Sequence, residues 1–289
     1  MTFKILTDST SDLELSFTKA HEIQVLDLTV TVGNQVYTTF GEGSLKPDEL
    51  LQMMQSGQSV QTSQINSGVF ADTFKKYAEK SEDVLYIGFS SGLSGTFQSA
   101  VIGREMVLET FPDAKIILVD SLAAASGEGI LVEQAVLLRD EGLQIDQVAM
   151  LIETLKMRVS SQFMVEDLNH LARGGRIPKA AALVGTMANI KPLLDVDAKG
   201  KLRQVSKVRG KKKAIKHLID QTMSALDLQY PKIVIGYSGE IGTALEIKTQ
   251  ILENSSVQEV EIRPIGSTIV THTGKNTLAI FSISQKVRK

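Results

Sequence analysis

The chain has 289 residues, 43% hydrophobic and 22% charged, with a formal net charge of −2. This composition excludes general disorder, the near-neutral charge argues against generic nucleic-acid binding, and the length favours two domains of roughly 100–200 residues each. The sequence contains no cysteine, which excludes disulfides, thiolate metal sites and cysteine nucleophiles.

The first predicted element is a short buried strand from Phe3 to Thr7, followed by DSTSD, which supplies the turn and cap of a helix ending near Ala20. This segment lacks the basic flank and long apolar core of a secretion signal. No apolar run approaches the ~20 residues needed to cross a bilayer. We therefore expect a soluble, cytoplasmic protein.

Residues 23–80 alternate between strand and helix patterns. We predict a strand with a hairpin partner between Ile23 and Tyr37, a helix from Pro47 to Gln55, a hydroxyl-rich loop from Val60 to Gly68 and an amphipathic helix from Val69 to Lys80. The loop contains Thr62 and Ser63, which are candidates either for ligand contacts or for capping the helix that follows.

The most distinctive stretch is SSGLSGTFQSA, Ser90 to Ala100. It lies between a predicted strand, Val84 to Phe89, and a predicted helix from Thr96 to about Thr110. Free backbone N–H groups and short hydroxyl side chains at such a junction suit the binding of a small anion. We interpret this loop as the grip on the head of a ligand, with simple helix capping as the alternative.

The strand from Lys115 to Val119 and helices from Ser126 to Arg139 and from Asp146 to Arg158 complete a predicted first domain ending near residue 160. Strands joined by helices imply a parallel sheet. Ligands bind beyond the carboxyl ends of such strands, so the hydroxyl-bearing loops after Thr7, Phe89 and Val119 predict one polar crevice.

The second half opens with a predicted strand from Phe163 to Val165 and a short helical turn from Leu168 to Ala172. Arg173, Gly174, Gly175 and Arg176 then form a tight turn, and Pro178 begins another helix. Guanidinium groups bind carboxylates and phosphates in a bidentate manner, so this turn is either an anion contact or a solvated turn.

A basic run without acidic residues extends from Lys199 to Lys216 and includes Arg203 and Arg209. It begins in the turn that joins two predicted strands, Ile190 to Val196 and Leu202 to Val208, and covers the second of them. The run suits a solvated surface or the docking of an acidic partner or a nucleotide. Nucleic-acid binding is disfavoured because the run contains no aromatic residues for stacking on bases.

The remaining elements are predicted as a helix from Ala214 to Leu226, a strand from Ile233 to Tyr237, a helix from Ile241 to Leu252 and strands from Val257 to Ile262 and Leu278 to Ile283. The sequence THTG places His272 in a predicted hydroxyl-rich turn. The four histidines show no metal-ligand spacing, and the chain has neither GxGxxG nor a Walker A pattern. We therefore predict no metal and no cofactor.

Seven motifs occur along the chain in an order that resembles the DegV family of bacterial fatty-acid-binding proteins, which includes the FakB subunits of fatty acid kinase. They are TDST (7–10), TSQ (62–64), SSGLSGTFQSA (90–100), RGGRI (173–177), IKPLL (190–194), RGKKKA (209–214) and THTG (271–274). Each motif is weak alone, but their order makes the match specific, and the resemblance covers essentially the whole chain.

The resemblance implies a two-domain α/β fold divided at residues 1–160 and 161–289. The first domain would hold a mostly parallel, Rossmann-like sheet with helices on both faces, and the second would be a further α/β domain. One long-chain fatty acid would lie between them, with its carboxylate near the junction. The protein would present this acid to a separate ATP-dependent kinase subunit, which makes acyl phosphate for phospholipid synthesis, and would not itself be an enzyme.

By the same resemblance, Thr62 and Ser94 are the expected carboxylate contacts and His272 is a polar support, with Ser63, Ser91 and Thr96 as further ligand-binding candidates. The expected contacts with the kinase are Arg173, Arg176, Arg203 and Arg209. The chain departs from the family after THTG, because Lys275 and Asn276 stand where Pro-Gly is common.

Two other functions stay open on the residues alone. One is an acyl hydrolase or transferase with Ser94 as nucleophile and His272 as base, although no GxSxG motif occurs. The other is a binder of phosphosugars or of dihydroxyacetone-type ligands. Met150, Met157, Met164 and Met187 are candidates for an adaptable tail pocket, with core packing as the alternative.

Overall fold

The computed structural model describes residues 3–182 and 189–289. The strands are β1 Lys4–Asp8, β2 Gln24–Leu26, β3 Thr29–Val32, β4 Gln35–Thr38, β5 Val60–Ser63, β6 Val84–Gly88, β7 Ile116–Asp120, β8 Val159–Met164, β9 Ile190–Val196, β10 Leu202–Arg209, β11 Ile233–Tyr237, β12 Val260–Pro264 and β13 Leu278–Ile283. The α-helices are α1 Leu15–Ala20, α2 Pro47–Gln55, α3 Ser67–Ala78, α4 Thr96–Leu108, α5 Ser126–Asp140, α6 Ile145–Leu155, α7 Leu168–Arg173, α8 Lys179–Ala182, α9 Lys211–Ala225, α10 Gly242–Asn254 and α11 Ser267–Thr273.

A four-stranded parallel sheet in the order β2-β1-β6-β7 forms the first layer. Successive side chains along its strands point to opposite faces of the sheet, and both faces are apolar. Leu6 and Tyr86 belong to the core cluster that includes residues of α3 and α4, whereas Ile5, Leu85 and Ile87 pack with α5 and α6. The predicted parallel α/β sheet with helices on both faces is confirmed.

A six-stranded mixed sheet in the order β10-β9-β8-β13-β11-β12 forms the second layer. Only the β11–β12 pair is parallel among the pairs described in this sheet. One face packs on α9 and α10. Phe163 and Phe281, on the other face, share a buried cluster with α5 and α6. The core therefore continues from one sheet to the other, and the domain boundary near residue 160 stays a prediction.

The third sheet, β4-β3-β5, corrects one prediction. The hairpin expected between Ile23 and Tyr37 is present as β3 and β4, with its turn at Gly33 and Asn34. Residues 60–63, predicted as a loop, instead form strand β5 against β3. Val60 and Thr62 are half-buried, while Gln61 and Ser63 are exposed. The strand turns Thr62 inward because successive side chains point to opposite faces.

The segment around His272 is a helix rather than the predicted turn. Helix α11 includes His272 in its last turn and ends at Thr273, directly before Gly274, whose φ is 73°. The segment is rich in β-branched residues, which have low intrinsic helix propensity, so the helix depends on its tertiary packing. After it, the backbone N–H of Asn276 donates to the Ser238 carbonyl oxygen at 3.1 Å.

The loop at Ser90 joins the two larger sheets. Ser90 Oγ donates to the backbone oxygen of Gly200 at 2.8 Å, in the turn between β9 and β10. A Cβ at Gly200 would lie 2.1 Å from Ser90 Oγ, and the φ of Gly200 is 70°. Glycine is therefore needed here both for its backbone conformation and for the close approach.

Within residues 3–182 and 189–289, none of the helices has the length and apolar character required to span a membrane.

Candidate functional site

A largely apolar cavity opens among the loops of the parallel sheet and the inner face of the six-stranded sheet. Together with the solvent at its mouth, the empty space amounts to about 970 Å³. Its apolar lining consists of Leu28, Phe89, Leu93, Ala124, Ala125, Phe163, Leu171, Val196, Leu202, Ile265, Ile269, Ala279 and Phe281. A concave apolar site with few polar groups is typical of a pocket for a small apolar ligand.

A polar cluster interrupts this lining. It contains Thr62, Gln64, Ser94, Arg176 and His272. Three of these, Thr62, Ser94 and His272, are the predicted ligand-binding residues of highest interest, and the structure brings them to one cavity although they lie far apart in sequence. Strand β5, the loop before α4 and helix α11 each contribute one of them.

The imidazole of His272 is held in its neutral form. Burial, followed by the charges of Arg176 and His170, lowers its pKa from 6.5 to about 4. Its Nε2 lies 2.9 Å from Thr62 Oγ1. A neutral ring donates from one nitrogen and accepts at the other. When Nε2 carries the hydrogen, it donates to Thr62, and the Thr62 hydroxyl hydrogen is available to a ligand.

Gly174, in the RGGR turn, allows His272 to take this position. A Cβ at Gly174 would lie 2.3 Å from His272 Nδ1. On the other side of the contact between α7 and α11, a Cβ at Gly274 would lie 3.0 Å from His170 Cδ2. The glycines thus let each histidine pack against the end of the neighbouring helix.

The loop before α4 presents Ser94 by its side chain and not by its backbone. The N–H groups of Ser91 and Gly92 donate to Asp120 and Ser90 side chains, and that of Ser94 donates to the Ser90 carbonyl. Ser94 Oγ accepts from the backbone N–H of Thr96 at 3.2 Å and lies 3.0 Å from Thr96 Oγ1. Buried Thr96 therefore supports Ser94 from behind.

Arg176 brings a positive charge to the polar cluster. Its Nε donates to the Leu93 carbonyl oxygen at 3.1 Å, and another guanidinium nitrogen donates to the Gly174 carbonyl. Among the residues that the structure describes, no carboxylate forms a salt bridge with it. Burial lowers its pKa, yet an arginine stays charged near neutral pH. An anionic ligand would compensate this charge.

The polar cluster also faces an outer cleft. Thr62, Arg176 and His272 line both the apolar cavity and this cleft, which further includes His170 and Arg173. A guanidinium nitrogen of Arg173 lies 2.9 Å from His170 Nδ1. The head of a ligand in the cavity would thus lie beside a basic surface cleft.

Other predicted site residues lie elsewhere. Ser63 and Ser91 are exposed and outside the cavity lining. Arg203 forms a bidentate ion pair with Asp195 at 2.9 and 2.7 Å, and Arg209 is exposed at the end of edge strand β10. The structure places neither arginine in the outer cleft with Arg173 and Arg176.

The expected convergence of three hydroxyl-rich loops is only partly present. The loops after β6 and β7 reach the cavity, but the hydroxyls after β1 are used in a buried network. Ser9 Oγ accepts from the Leu28 backbone N–H at 2.9 Å, and Thr10 bonds to the carboxyl groups of Asp8 and Glu128. These groups hold the fold and do not face the ligand space.

The sequence patterns did not predict Gln64 or the apolar wall of the cavity. Gln64 follows Thr62 by two residues on the same side, and its Nε2 donates to Ser99 Oγ at 3.1 Å. No signal other than the alternation of the strand indicated it. The methionines are not the wall: Met164 is core, Met150 is 64% exposed, Met157 lies outside the cavity, and Met187 lies outside the described residues.

Among the described residues, no group of three histidine, aspartate or glutamate side chains is placed to hold a metal ion. The expectation that the protein needs no cofactor stays a prediction.

Comparisons with known proteins match the chain over its full length. A family model described as an uncharacterised protein of the DegV family matches residues 2–285. A DegV domain-containing protein of Lactococcus lactis is 56% identical over 289 residues, which is 100% of both chains.

Solved structures of similar shape include a DegV family protein of Thermus thermophilus described by its fatty acid binding. It is 30% identical, has a TM-score of 0.87, and covers 98% of this chain and 100% of its own. DegV of Bacillus subtilis, described as a fatty acid binding protein, is 27% identical with a TM-score of 0.84 and covers 99% and 100% of the two chains.

Proposed function

The chain belongs to the DegV family, and from this premise we propose that it binds one long-chain fatty acid and presents it to a separate ATP-dependent kinase for acyl-phosphate formation. The observation that carries the proposal is the apolar cavity with its polar cluster of Thr62, Gln64, Ser94, Arg176 and His272. Relatives of the same fold are described as fatty-acid-binding proteins.

The polar cluster has the chemistry of a carboxylate site. Thr62 and Ser94 supply hydroxyl donors, because His272 and Thr96 provide each with a second partner. Arg176 supplies a charge without a carboxylate partner among the described residues. A partly buried carboxylate needs such donors, since a buried anion without hydrogen bonds is costly.

The apolar lining suits an acyl chain. Burial of each methylene contributes about 0.8 kcal/mol to the binding free energy, so the acyl chain supplies most of the affinity. The carboxylate fixes the orientation of the ligand. A phosphosugar would leave its hydroxyls facing residues such as Phe89, Phe163 and Phe281 without hydrogen-bond partners. The cavity therefore favours a fatty acid over a phosphosugar.

The outer cleft supports presentation to a partner. A carboxylate bound where the cavity and the cleft share Thr62, Arg176 and His272 would be within reach of a second protein, while the acyl chain stays buried. The basic side chains of the cleft suit the anionic phosphate of the partner's nucleotide.

The hydrogen bonds do not favour an acyl hydrolase. His272 Nε2 bonds to Thr62, whereas Ser94 Oγ bonds to Thr96. In residues 3–182 and 189–289 no carboxylate hydrogen-bonds to His272, so a serine-histidine-acid arrangement has no support.

The test is organic extraction of the purified protein followed by mass spectrometry. We expect one long-chain fatty acid per chain, and addition of a kinase catalytic subunit with ATP should convert it to acyl phosphate. A protein that is empty and fails to bind added fatty acid contradicts the binding proposal. A loaded protein that supports no phosphorylation contradicts only the presentation step.

A further inference from the structure

One hydroxyl group on the cavity wall has no partner. Ser161 is 3% exposed and lines the cavity, and its Oγ has no hydrogen bond to any described residue. The threonines of the wall differ in this respect. Thr268 donates to Thr39 Oγ1, and Thr273 and Thr277 donate to carbonyl oxygens within or near α11. A buried hydroxyl without a hydrogen bond is destabilising, so Ser161 requires an explanation.

Ser161 lies along the tail of the cavity and away from its polar cluster. In the antiparallel pair of β8 and β13, Ser161 is opposite Phe281 and Phe163 is opposite Ala279. Thr277, which bonds to the end of α11, precedes this pair on the same side. The four residue-to-residue steps from Thr277 to Phe281 span ~13 Å of strand. Because Ser161 is opposite Phe281, it lies about that distance along the sheet from the end of the helix that bears His272.

The region behind Ser161 is polar as well. Ser161 and Val196 also line a surface depression with Lys286 and Arg288. The Nε of Arg288 is buried and has no partner among the described residues, and its two other nitrogens donate to the carbonyl oxygens of Leu122 and Lys156. A second unsatisfied donor thus lies in the depression that adjoins the cavity at Ser161.

We propose that the cavity takes a fatty acid with a hydroxyl group on its chain, and that Ser161 binds this group. The inference rests on the proposed function, because it specifies the class of fatty acid held in the same cavity. A hydroxyl both donates and accepts, so it pairs with Ser161 Oγ in either direction. A plain alkyl chain leaves Ser161 unsatisfied.

The test compares stearic acid with a series of monohydroxystearic acids that differ only in the position of the hydroxyl group. Calorimetric titration of the delipidated protein should show about tenfold tighter binding of one positional isomer than of stearic acid. In Ser161→Ala the ratio of the two affinities should fall to about one. Ser282→Ala is the matched control, because Ser282 is also buried with an unpartnered Oγ but lies outside the cavity lining. It should keep the ratio.

The outcomes separate this inference from the proposed function. Binding of stearic acid with no preference for any isomer overturns the role of Ser161 and leaves fatty-acid binding intact. A preference that persists in Ser161→Ala also overturns it. Failure of every fatty acid to bind overturns the proposed function together with this inference.

Discussion

Thr62 Oγ1 and His272 Nε2 lie 2.9 Å apart although the residues are 210 positions apart in the chain. The contact joins β5 of the small sheet to the last turn of α11. In the tautomer that carries the hydrogen on Nε2, neutral His272 donates to Thr62 and leaves the threonine hydroxyl hydrogen for a carboxylate. The first prediction follows from the neutral state of this histidine.

Replacement of the histidine should change how stability depends on pH. An unfolded histidine titrates near 6.5, whereas His272 has a pKa of about 4. Between these values the unfolded chain binds more protons, so His272 contributes stability above pH ~6.5 that is lost as the pH falls through ~4. Relative to His272→Gln, the wild type should lose roughly 1 kcal/mol per pH unit in this window. Urea denaturation at several pH values between the two pKa values measures the free energy of unfolding of the wild type and of His272→Gln. If the two free energies change with pH in parallel, His272 is not a neutral, buried imidazole.

Removal of the hydroxyl donors should weaken fatty-acid binding. Thr62→Val and Ser94→Ala should each cost about tenfold or more in affinity, since hydrogen bonds to charged groups contribute about 1.5–3 kcal/mol. Ser63→Ala is the matched control, because Ser63 is the exposed neighbour of Thr62 on β5. Fluorescence competition with a labelled fatty acid measures the affinities. Normal binding by a Thr62→Val/Ser94→Ala double variant rules out the carboxylate clamp.

The charge of Arg176 should affect the binding of a fatty acid but not that of the corresponding fatty alcohol. Arg176→Gln should weaken the binding of stearic acid about tenfold or more and leave the binding of stearyl alcohol almost unchanged, because only the carboxylate pairs with the guanidinium group. Arg173→Gln serves as the control, since Arg173 is exposed and bonds to His170. Calorimetry with both ligands gives the two ratios. Equal losses for the acid and the alcohol would mean that Arg176 acts through packing alone.

Much of the fold was readable from local patterns. Helix α2 begins at Pro47 as predicted, and the two strands predicted on either side of a turn are present as β9 and β10, which pair antiparallel. These elements carry their own signals, such as proline at a helix start and glycine in a turn.

The elements that position the site carried weaker local signals. Strand β5 has only four residues, two of which carry hydroxyls, so its pattern is that of a loop. The residues of α11 have low helix propensity, so the sequence around His272 does not predict a helix. The apolar wall of the cavity could not be predicted from the sequence, because Phe163, Val196 and Phe281 come from strands that meet only in the folded sheet. The motif resemblance pointed to Thr62, Ser94 and His272 as candidates. Their meeting at one cavity depends on long-range packing, which the sequence patterns do not show.

Charge reversal on β10 should separate partner docking from ligand binding. Arg209 is exposed and forms no salt bridge with the described residues, whereas Arg203 is paired with Asp195. Arg209→Glu should therefore reduce acyl-phosphate formation by a kinase catalytic subunit while fatty-acid affinity stays unchanged. Lys76→Glu makes the same change of charge at an exposed site on α3. If the two variants couple to the kinase equally well, the basic strand is only a solvated surface.

The buried network near β1 predicts which of two carboxyl groups holds a proton. Thr10 Oγ1 lies 2.6 Å from Asp8 Oδ1 and 2.8 Å from Glu128 Oε2, and one hydroxyl hydrogen cannot be donated to both. The Asp8 carboxylate already accepts from Tyr86 OH and the Phe89 N–H. Burial raises the pKa of both carboxyl groups, and it raises that of Glu128 well above its usual range, with the charge of Asp8 among the lesser causes. Glu128 is therefore the protonated partner and donates to Thr10.

Because a glutamine amide reproduces the protonated carboxyl, Glu128→Gln should be at least as stable as the wild type at neutral pH. Its advantage should grow as the pH rises above the ordinary carboxyl value, since folding then requires the wild-type Glu128 to keep a proton that the unfolded chain releases. Asp8→Asn should instead lose about 2 kcal/mol or more, because the amide NH₂ would face existing donors. Denaturation of both variants at several pH values measures the difference, and the reverse order of stabilities would place the proton on Asp8.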